Sequence, residues 1–402
     1  MWEIRVYNNI NAEKKFDQER FMCGLEHAIV MRSDAILVRS EDLKKKELPT
    51  SVLAVGRAGI GVDNIDVQKC TEKGIAVFNT PGANANAVKE LVLCAMLMSA
   101  RRIHPALNFL RKTKESNPDG LGKEEIKKLI EGEKKKFKGV EILGKKLFIF
   151  GLGNIGRQVA RSARALGMDV FGYDPFKKEG EIDVPNLKFT NDKESVSFNN
   201  WLGMADYITF HLDLTDETKG LCNKNLLGLM KDGAVIINFS RGGIVTDTDL
   251  LVALSVGKIS HYASDFITPE LQRCSSPDQM TFFPHLGAST AEAEENCVDM
   301  ICRQISEFLE DGTIVNSVNF PSCRLERNSP YRLTVVNQNK PGMIAKITEV
   351  VSKSNINIVE MLNASKGEIG YNILDLETTP SSLFTEMDKL DGVLLARNIS
   401  RS

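Results

Sequence analysis

Along the first hundred residues the hydrophobic positions come in short blocks separated by polar turns. AILVRS (35–40), SVLAVGRAG (51–59) and GIAVFNTP (74–81) are dense in Val, Ile and Leu and bounded by Gly, Pro or Ser, which predicts strands. Their apolar runs do not alternate with polar residues, as expected for a parallel sheet buried on both faces. MWEIRVYNN, with a charge every few residues, reads as an edge strand. AVKELVLCAMLMSARRI (87–103) has apolar positions at helical spacing and a basic end, and predicts a strong helix.

Residues 104–146 break this rhythm. RKTKESNPDGLGKEEIKKLIEGEKKKFKGVEILGKK is Lys-rich with Gly and Pro breaks. Two readings stay open for it: a solvated helical excursion, or a basic flap near an anionic substrate. The strand–helix alternation then resumes. ADYITFHLDL (205–214), GAVIINFSRGG (233–243) and HYASDF (261–266) are strand-like, and DTDLLVALSVG (247–257) is a short helix. STAEAEENCVDMICRQISEFLEDG (289–312) is a long amphipathic helix closed by Gly, and residues 317–331 have the composition of a linker. Residues 332–402 follow the order βαββαβ, which predicts a separate ferredoxin-like module.

The 402 residues leave room for two or three domains, and a net charge of −2 argues against a dedicated nucleic-acid binder. No run approaches the eighteen apolar residues of a membrane span, and the N-terminus does not resemble a signal peptide. The eight cysteines are scattered, with no CxxC, and read as reduced thiols; no metal is expected. A soluble, cytoplasmic protein is the default.

The most informative stretch is LFIFGLGNIGRQVARSARALGMDVFGYD (147–174). An apolar run leads into Gly151, Gly153 and Gly156, a helical pattern follows, and a second apolar run ends in Asp174. The first glycine permits a tight turn, the second lets the backbone approach a pyrophosphate, and the third allows close helix–strand packing. The phosphates would lie at a helix N-terminus, where free N–H groups favour an anion. Asp174 can accept hydrogen bonds from ribose hydroxyls and would repel a 2′-phosphate, so NAD is expected over NADP. His285, in FFPHLGAST, Arg241, in NFSRGGIV, and Glu270, in SDFITPEL, each follow a strand-like run. Open α/β sheets put their chemistry at such strand ends. Oxidation of a 2-hydroxy acid needs a base for the hydroxyl proton, an acid that stabilises the protonated histidine, and a guanidinium for the carboxylate.

In combination and order, GRAGIGVDNID (56–66), NTPGANANAVKE (79–90), GLGNIG (151–156) with Asp174, NFSRGGIV (238–245) and PHLGAST (284–290) resemble the D-isomer-specific 2-hydroxyacid dehydrogenases, most closely those acting on D-3-phosphoglycerate. The resemblance spans residues 1–320 and implies two Rossmann-like domains: a nucleotide-binding domain (104–288, with the excursion 104–146) inserted into a flavodoxin-like substrate domain (1–103 and 289–320). That insertion would explain why the cofactor fingerprint sits mid-chain. It implies His285 as acid/base, Glu270 as its tuning partner and Arg241 as carboxylate binder. Asn154, Ile155, Phe239, Ser240, Asp265, Gly287 and Ala288 join the glycines, Asp174, Arg241 and His285 around the cofactor. One departure is local: the family has Pro after the Glu, whereas here Pro269 precedes Glu270 and Leu271 follows.

Arg39 and Arg57 match phosphate-binding positions, and Lys134 matches a cation brought by a neighbouring subunit. Beyond a linker at 321–330, residues 331–402 resemble an ACT domain, a small-molecule regulatory fold. There Asn339 and Asn357 match serine-contacting asparagines, and Asn337 stands where His is frequent. The resemblance thus implies NAD-dependent oxidation of D-3-phosphoglycerate to 3-phosphohydroxypyruvate, a homodimer or homotetramer, and L-serine as an effector. Alternatives are another D-2-hydroxyacid dehydrogenase, of glyoxylate or 2-hydroxyglutarate type, or an NAD(H)-sensing partner-binding protein on the same scaffold.

Overall fold

The computed structural model describes residues 1–8, 10–25, 32–178, 180–274, 276 and 278–399; His27 lies outside them. The chain divides into two compact units, an outer one of Met1–Asn84 with Ala291–Ser402 and a central one of Ala85–Thr290.

The outer unit begins with β1 (Trp2–Val6), β2 (Phe21–Leu25), β3 (Ala35–Val38), β4 (Ala54–Arg57), α1 (Val67–Glu72) and β5 (Ala76–Phe78). They form a parallel sheet of order β2-β1-β3-β4-β5, the flavodoxin-like arrangement. The N-terminal strand is therefore interior, not at the edge. FMCGL, whose Cys and Gly mask its strand character, pairs along all of β1 from Trp2↔Phe21 to Val6↔Leu25. Within β3, Ile36 and Val38 face one core with Cys70 of α1, while Ala35 and Leu37 face another. Burial on both faces is why the apolar run shows no alternation.

The central unit holds α2 (Ala85–Ala100), α3 (Ile103–Ser116), α4 (Lys123–Glu133), β6 (Lys146–Phe150), α5 (Asn154–Ala165), β7 (Asp169–Tyr173), β8 (Lys188–Thr190), α6 (Val196–Met204), β9 (Tyr207–Phe210), α7 (Lys224–Leu229), β10 (Ala234–Asn238), α8 (Asp247–Ser255), β11 (Ile259–Ser264), α9 (Pro269–Cys274) and β12 (Met280–Phe282). Its seven strands are parallel in the order β12-β11-β10-β9-β6-β7-β8. The direction of winding reverses between β6 and β9, which opens a crevice at their carboxyl ends. Phe148 and Phe150 pack with Phe198 and Leu202 of α6 on one face; Leu147 and Ile149 pack with Val92 and Met96 of α2 and Val159 of α5 on the other. That packing draws α2 into this unit, so the outer segment ends at Asn84 and not at residue 103. Within this chain α4 buries no side chain and α3 only Pro105, so the Lys-rich excursion is helical and lies on the surface of its own unit.

The chain returns through α10 (Ala291–Asp311) to β13 (Tyr331–Gln338), α11 (Met343–Lys353), β14 (Ile358–Lys366), β15 (Ile369–Leu376), α12 (Ser381–Asp388) and β16 (Val393–Asn398). These strands form an antiparallel sheet of order β14-β15-β13-β16, a ferredoxin-like topology. Leu333, Val335, Leu374 and Leu376 pack under α11 and α12, whereas Val336, Ile369, Tyr371 and Ile373 join the core around Ile301, Ile305 and Phe308 of α10. The module does not stand apart: it belongs to the outer unit. Residues 317–331 are not a free tether either, since Phe320 and Cys323 are buried and Cys323 bridges to Ile314.

Polar side chains secure the same face. Tyr371 Oη donates to Gly312 O at 2.7 Å, Arg332 Nη1 to Asp311 O at 3.1 Å, and Arg397 Nη2 to Leu309 O at 3.1 Å. The carbonyls left unpaired at the end of α10 are thereby satisfied, two of them by cations that also suit the helix dipole. Among the described residues, no helix is long and apolar enough to cross a membrane.

Candidate active site

The glycine loop connects β6 to α5. Gly151 has φ +87°, and a Cβ there would lie 2.3 Å from His211 O, so both conformation and space demand glycine. A Cβ on Gly156 would lie 1.9 Å from Gly151 O, whereas around Gly153 the space is open. Gly153 is also the N-cap of the twelve-residue α5, whose first residues are Asn154 and Ile155. The result is a concave backbone cradle with free N–H groups, suited to a pyrophosphate. Asp174, nearly buried at the end of β7, accepts from Leu152 N at 2.9 Å and Phe176 N at 3.0 Å. These two bonds fix its carboxylate beside the cradle, and each oxygen keeps a lone pair for a ribose hydroxyl.

We expect Gly153→Ala to weaken NADH binding about tenfold or more without loss of thermal stability, because the methyl fills only the approach to the phosphates. Gly156→Ala should lower both. Fluorescence titration and thermal unfolding distinguish the two, and wild-type binding by Gly153→Ala would rule out the cradle.

His211, beside Gly151, was not recognised from sequence; HLDL offers no signal for it. The residue is only half-buried, yet its Nδ1 is sealed without a partner, and burial lowers its pKa to about 3. His261 is buried too, its pKa lowered to about 4 chiefly by burial and opposed by a hydrogen bond to Asp278 O. Both are neutral in the folded chain, whereas unfolded histidine protonates below about 6.5. The unfolded state therefore binds more protons as pH falls from there towards 4, and stability should drop by up to about 1.4 kcal/mol per histidine per pH unit. Urea midpoints at about pH 7 and about pH 5 check this, and equal midpoints would contradict it.

After β10, Asn238 organises the turn that carries Arg241. Its Nδ2 donates to Arg241 O at 2.9 Å, and its Oδ1 accepts from Ser240 N at 3.2 Å and Ser240 Oγ at 2.9 Å. Arg241 Nη1 donates to Ser240 O at 2.8 Å, and its Nη2 lies 3.7 Å from Asp213. Phe239 and Ser240 are buried behind it.

After β11, Asp265 performs a similar service for the His285 loop. Its Oδ1 accepts from Leu286 N at 3.1 Å and its Oδ2 from Gly287 N at 2.7 Å. Burial raises the Asp265 pKa, opposed by those two bonds and by His285. His285 is exposed, packs edge-on against Phe266 at 5.3 Å, and has φ +55°. A left-handed histidine is uncommon and marks a constrained loop. Ala288 continues the same turn. Glu270 is not joined to His285: among the described residues its exposed carboxylate pairs with Arg273 at 3.3 Å, one turn along α9. The acid that touches the histidine loop is Asp265.

In the outer unit, Arg39 follows β3 and Arg57 ends β4. Asn8 Oδ1 accepts from the N–H groups of Arg39, Ser40 and Glu41 at 3.2, 3.0 and 2.9 Å and fixes that corner. Lys134 pairs with Glu131 inside the excursion. In the C-terminal module Asn339 Nδ2 donates to Gly367 O at 3.0 Å, and Asn357 Nδ2 donates to Glu377 at 3.4 Å. Asn337 is buried, and its amide is engaged: Nδ2 donates to Gln338 O at 2.7 Å and Oδ1 accepts from Asn372 at 2.7 Å.

Comparison with known proteins matches residues 93–287 to the NAD-binding domain of the D-isomer specific 2-hydroxyacid dehydrogenases. The chain is 31% identical to D-3-phosphoglycerate dehydrogenase of Haemophilus influenzae, over 97% of this chain and 92% of that one. It is 33% identical to the enzyme of that name from Methanocaldococcus jannaschii over 87% of its length, but spans only 61% of that longer protein. Hydroxypyruvate reductase of Thermotoga maritima is 37% identical over 66% of this chain and 81% of that one. Among solved structures, the NAD+-bound 3-phosphoglycerate dehydrogenase of Entamoeba histolytica shares the fold, with TM-score 0.60 and 24% identity over 79% of this chain and 98% of that one. The cradle, the histidine loop and these likenesses agree: the chain belongs to the D-isomer-specific 2-hydroxyacid dehydrogenase family.

Proposed function

We propose that this protein is an NAD-dependent D-3-phosphoglycerate dehydrogenase, forming 3-phosphohydroxypyruvate as the first step of the phosphorylated route to serine. The observation that carries the reading is the pair of arginines at neighbouring strand ends, Arg39 and Arg57, in a chain that also holds the dinucleotide cradle. NAD bound there supplies the hydride acceptor. Arg241, its backbone pinned by Asn238, takes the substrate carboxylate with two parallel N–H groups. His285 accepts the hydroxyl proton on an imidazole nitrogen during oxidation and returns it during reduction. Asp265 keeps the histidine loop in place through Leu286 and Gly287. Glu270 would have to leave Arg273 to tune His285. Names of relatives acting on phosphoglycerate support this substrate, and the hydroxypyruvate reductase among them favours an unphosphorylated acid as the second reading.

The exposed apolar side chains Ile103, Leu107, Leu110, Ile126 and Ile130 of α3 and α4 support pairing with a second copy, which would present Lys134 to its neighbour. The C-terminal module is read as an ACT domain. Asn339 and Asn357 bond to opposite ends of the β14–β15 hairpin, roughly 25 Å apart by strand rise, so one serine would reach both only between two paired copies. Asn337, the third position in this reading, would have to release Gln338 O or Asn372 to reach the effector. A cytoplasmic location fits this role.

NADH oxidation with 3-phosphohydroxypyruvate, beside 2-ketoglutarate and glyoxylate, each with and without L-serine, tests the reading. Strong preference for the phosphorylated acid supports it, and loss of rate with serine supports the regulatory role. Preference for an unphosphorylated acid transfers the assignment to the second reading. No turnover with any of them would favour an NAD(H)-sensing protein.

A further inference from the structure

Arg39 and Arg57 lie side by side, since Val38 is opposite Arg57 in the β3–β4 register. Arg57 Nε donates to Arg39 O at 3.1 Å, and its guanidinium folds over Gly59, where a Cβ would lie 2.1 Å from Nη1. A third charged group reaches the same place. Glu294, in the first turn of α10, sets its Oε1 2.7 Å from Arg39 Nη1. One turn further along, the buried Cys297 thiol senses all three groups. Burial raises its pKa foremost, Thr80, Arg57 and Arg39 oppose that, and Glu294 adds to it. Two cations and one carboxylate therefore converge at the carboxyl ends of β3 and β4.

We infer that Glu294 is a positioning residue that sets selectivity: it holds Arg39 and competes with an incoming phosphate for that guanidinium. The inference rests on the proposed phosphate-binding role of Arg39 and Arg57. The pair is partly exposed, with side-chain accessibilities of 37% and 47%, so it is weak and can open. A substrate whose far end is a dianion must displace the carboxylate or sit beside it at an electrostatic cost. A substrate ending in a neutral hydroxymethyl group leaves the pair intact. Glu294 thus narrows the advantage of phosphorylated over unphosphorylated 2-keto acids without touching the reacting carbon.

The test compares wild type, Glu294→Gln, Arg39→Gln and the double variant, each with 3-phosphohydroxypyruvate and with hydroxypyruvate. Glu294→Gln should lower KM for the phosphorylated acid about three- to tenfold, the range for loss of a partly screened charge. Its kcat, its NADH affinity and its KM for hydroxypyruvate should stay as in wild type. In the Arg39→Gln background the effect should shrink to the through-space repulsion alone, because competition for the Arg39 guanidinium is gone. Suppose Arg39→Gln impairs use of the phosphorylated acid but Glu294→Gln leaves its KM unchanged or higher. Then Glu294 only braces Arg39, and the inference is overturned. If wild type shows no preference for the phosphorylated acid and Arg39→Gln has no effect, the phosphate reading itself fails and takes the inference with it.

Discussion

Replacing His285 with Ala is expected to lower kcat by about a hundred- to ten-thousandfold, the usual worth of a positioned acid–base group, while NADH binding survives. The separation follows from the layout of the central unit. The cradle is built by the β6–α5 turn and Asp174, whereas His285 stands on the loop after β12, held by Asp265 through backbone N–H groups that remain in the variant. Removal of the imidazole therefore takes away the proton acceptor without loosening the loop. Steady-state kinetics in both directions, with a fluorescence titration of NADH, measure the two effects separately. A kcat within tenfold of wild type would transfer the acid–base role to another group.

What could be read from sequence, and what could not, divides along the range of the interactions. The glycine loop was legible because its demands are local: a positive φ at Gly151 and a close approach at Gly156 each allow one residue type. The C-terminal βαββαβ order was legible because every element carries its own periodicity. The place of Glu270 was less legible, because its partner depends on where a short helix points, and α9 turns its exposed carboxylate towards Arg273. The interior place of β1 depended on FMCGL, a strand whose composition does not announce it. The contact between Arg39 and Glu294 joins residues 255 positions apart (294 − 39), and no spacing rule anticipates it. Least legible was the attachment of the C-terminal module. Val336, Ile369 and Tyr371 read as ordinary strand residues, and only the presence of α10 against them explains why both faces of the sheet are buried.

This attachment leads to the largest expected effect on stability. Arg332 and Asp375 are cross-strand partners on β13 and β15, and both side chains are fully buried. Arg332 Nε and Nη2 bind the two carboxylate oxygens at 2.6 and 2.8 Å, and the remaining donors reach Asp311 O, Leu325 O and Glu326 O at 3.1, 3.0 and 3.0 Å. Asp375 Oδ2 also accepts from Asn328 N at 2.8 Å. One guanidinium thus ties the sheet, the 325–328 segment and the end of α10 together, with every charge neutralised away from water. Asp375→Ala strands the guanidinium in the core and should cost about 3–5 kcal/mol. A paired replacement, Arg332→Met with Asp375→Leu, strands no charge in the core and should cost less. The remaining loss comes from the carbonyls of Asp311, Leu325 and Glu326 and from Asn328 N, which lose their partners. Urea unfolding of the three proteins reads the difference. If Asp375→Ala stays within about 1 kcal/mol of wild type, water reaches the guanidinium and the module is held by its apolar face alone. If the paired variant is as unstable as the single one, the carbonyl bonds from Arg332 carry the attachment, and the carboxylate serves only to orient them.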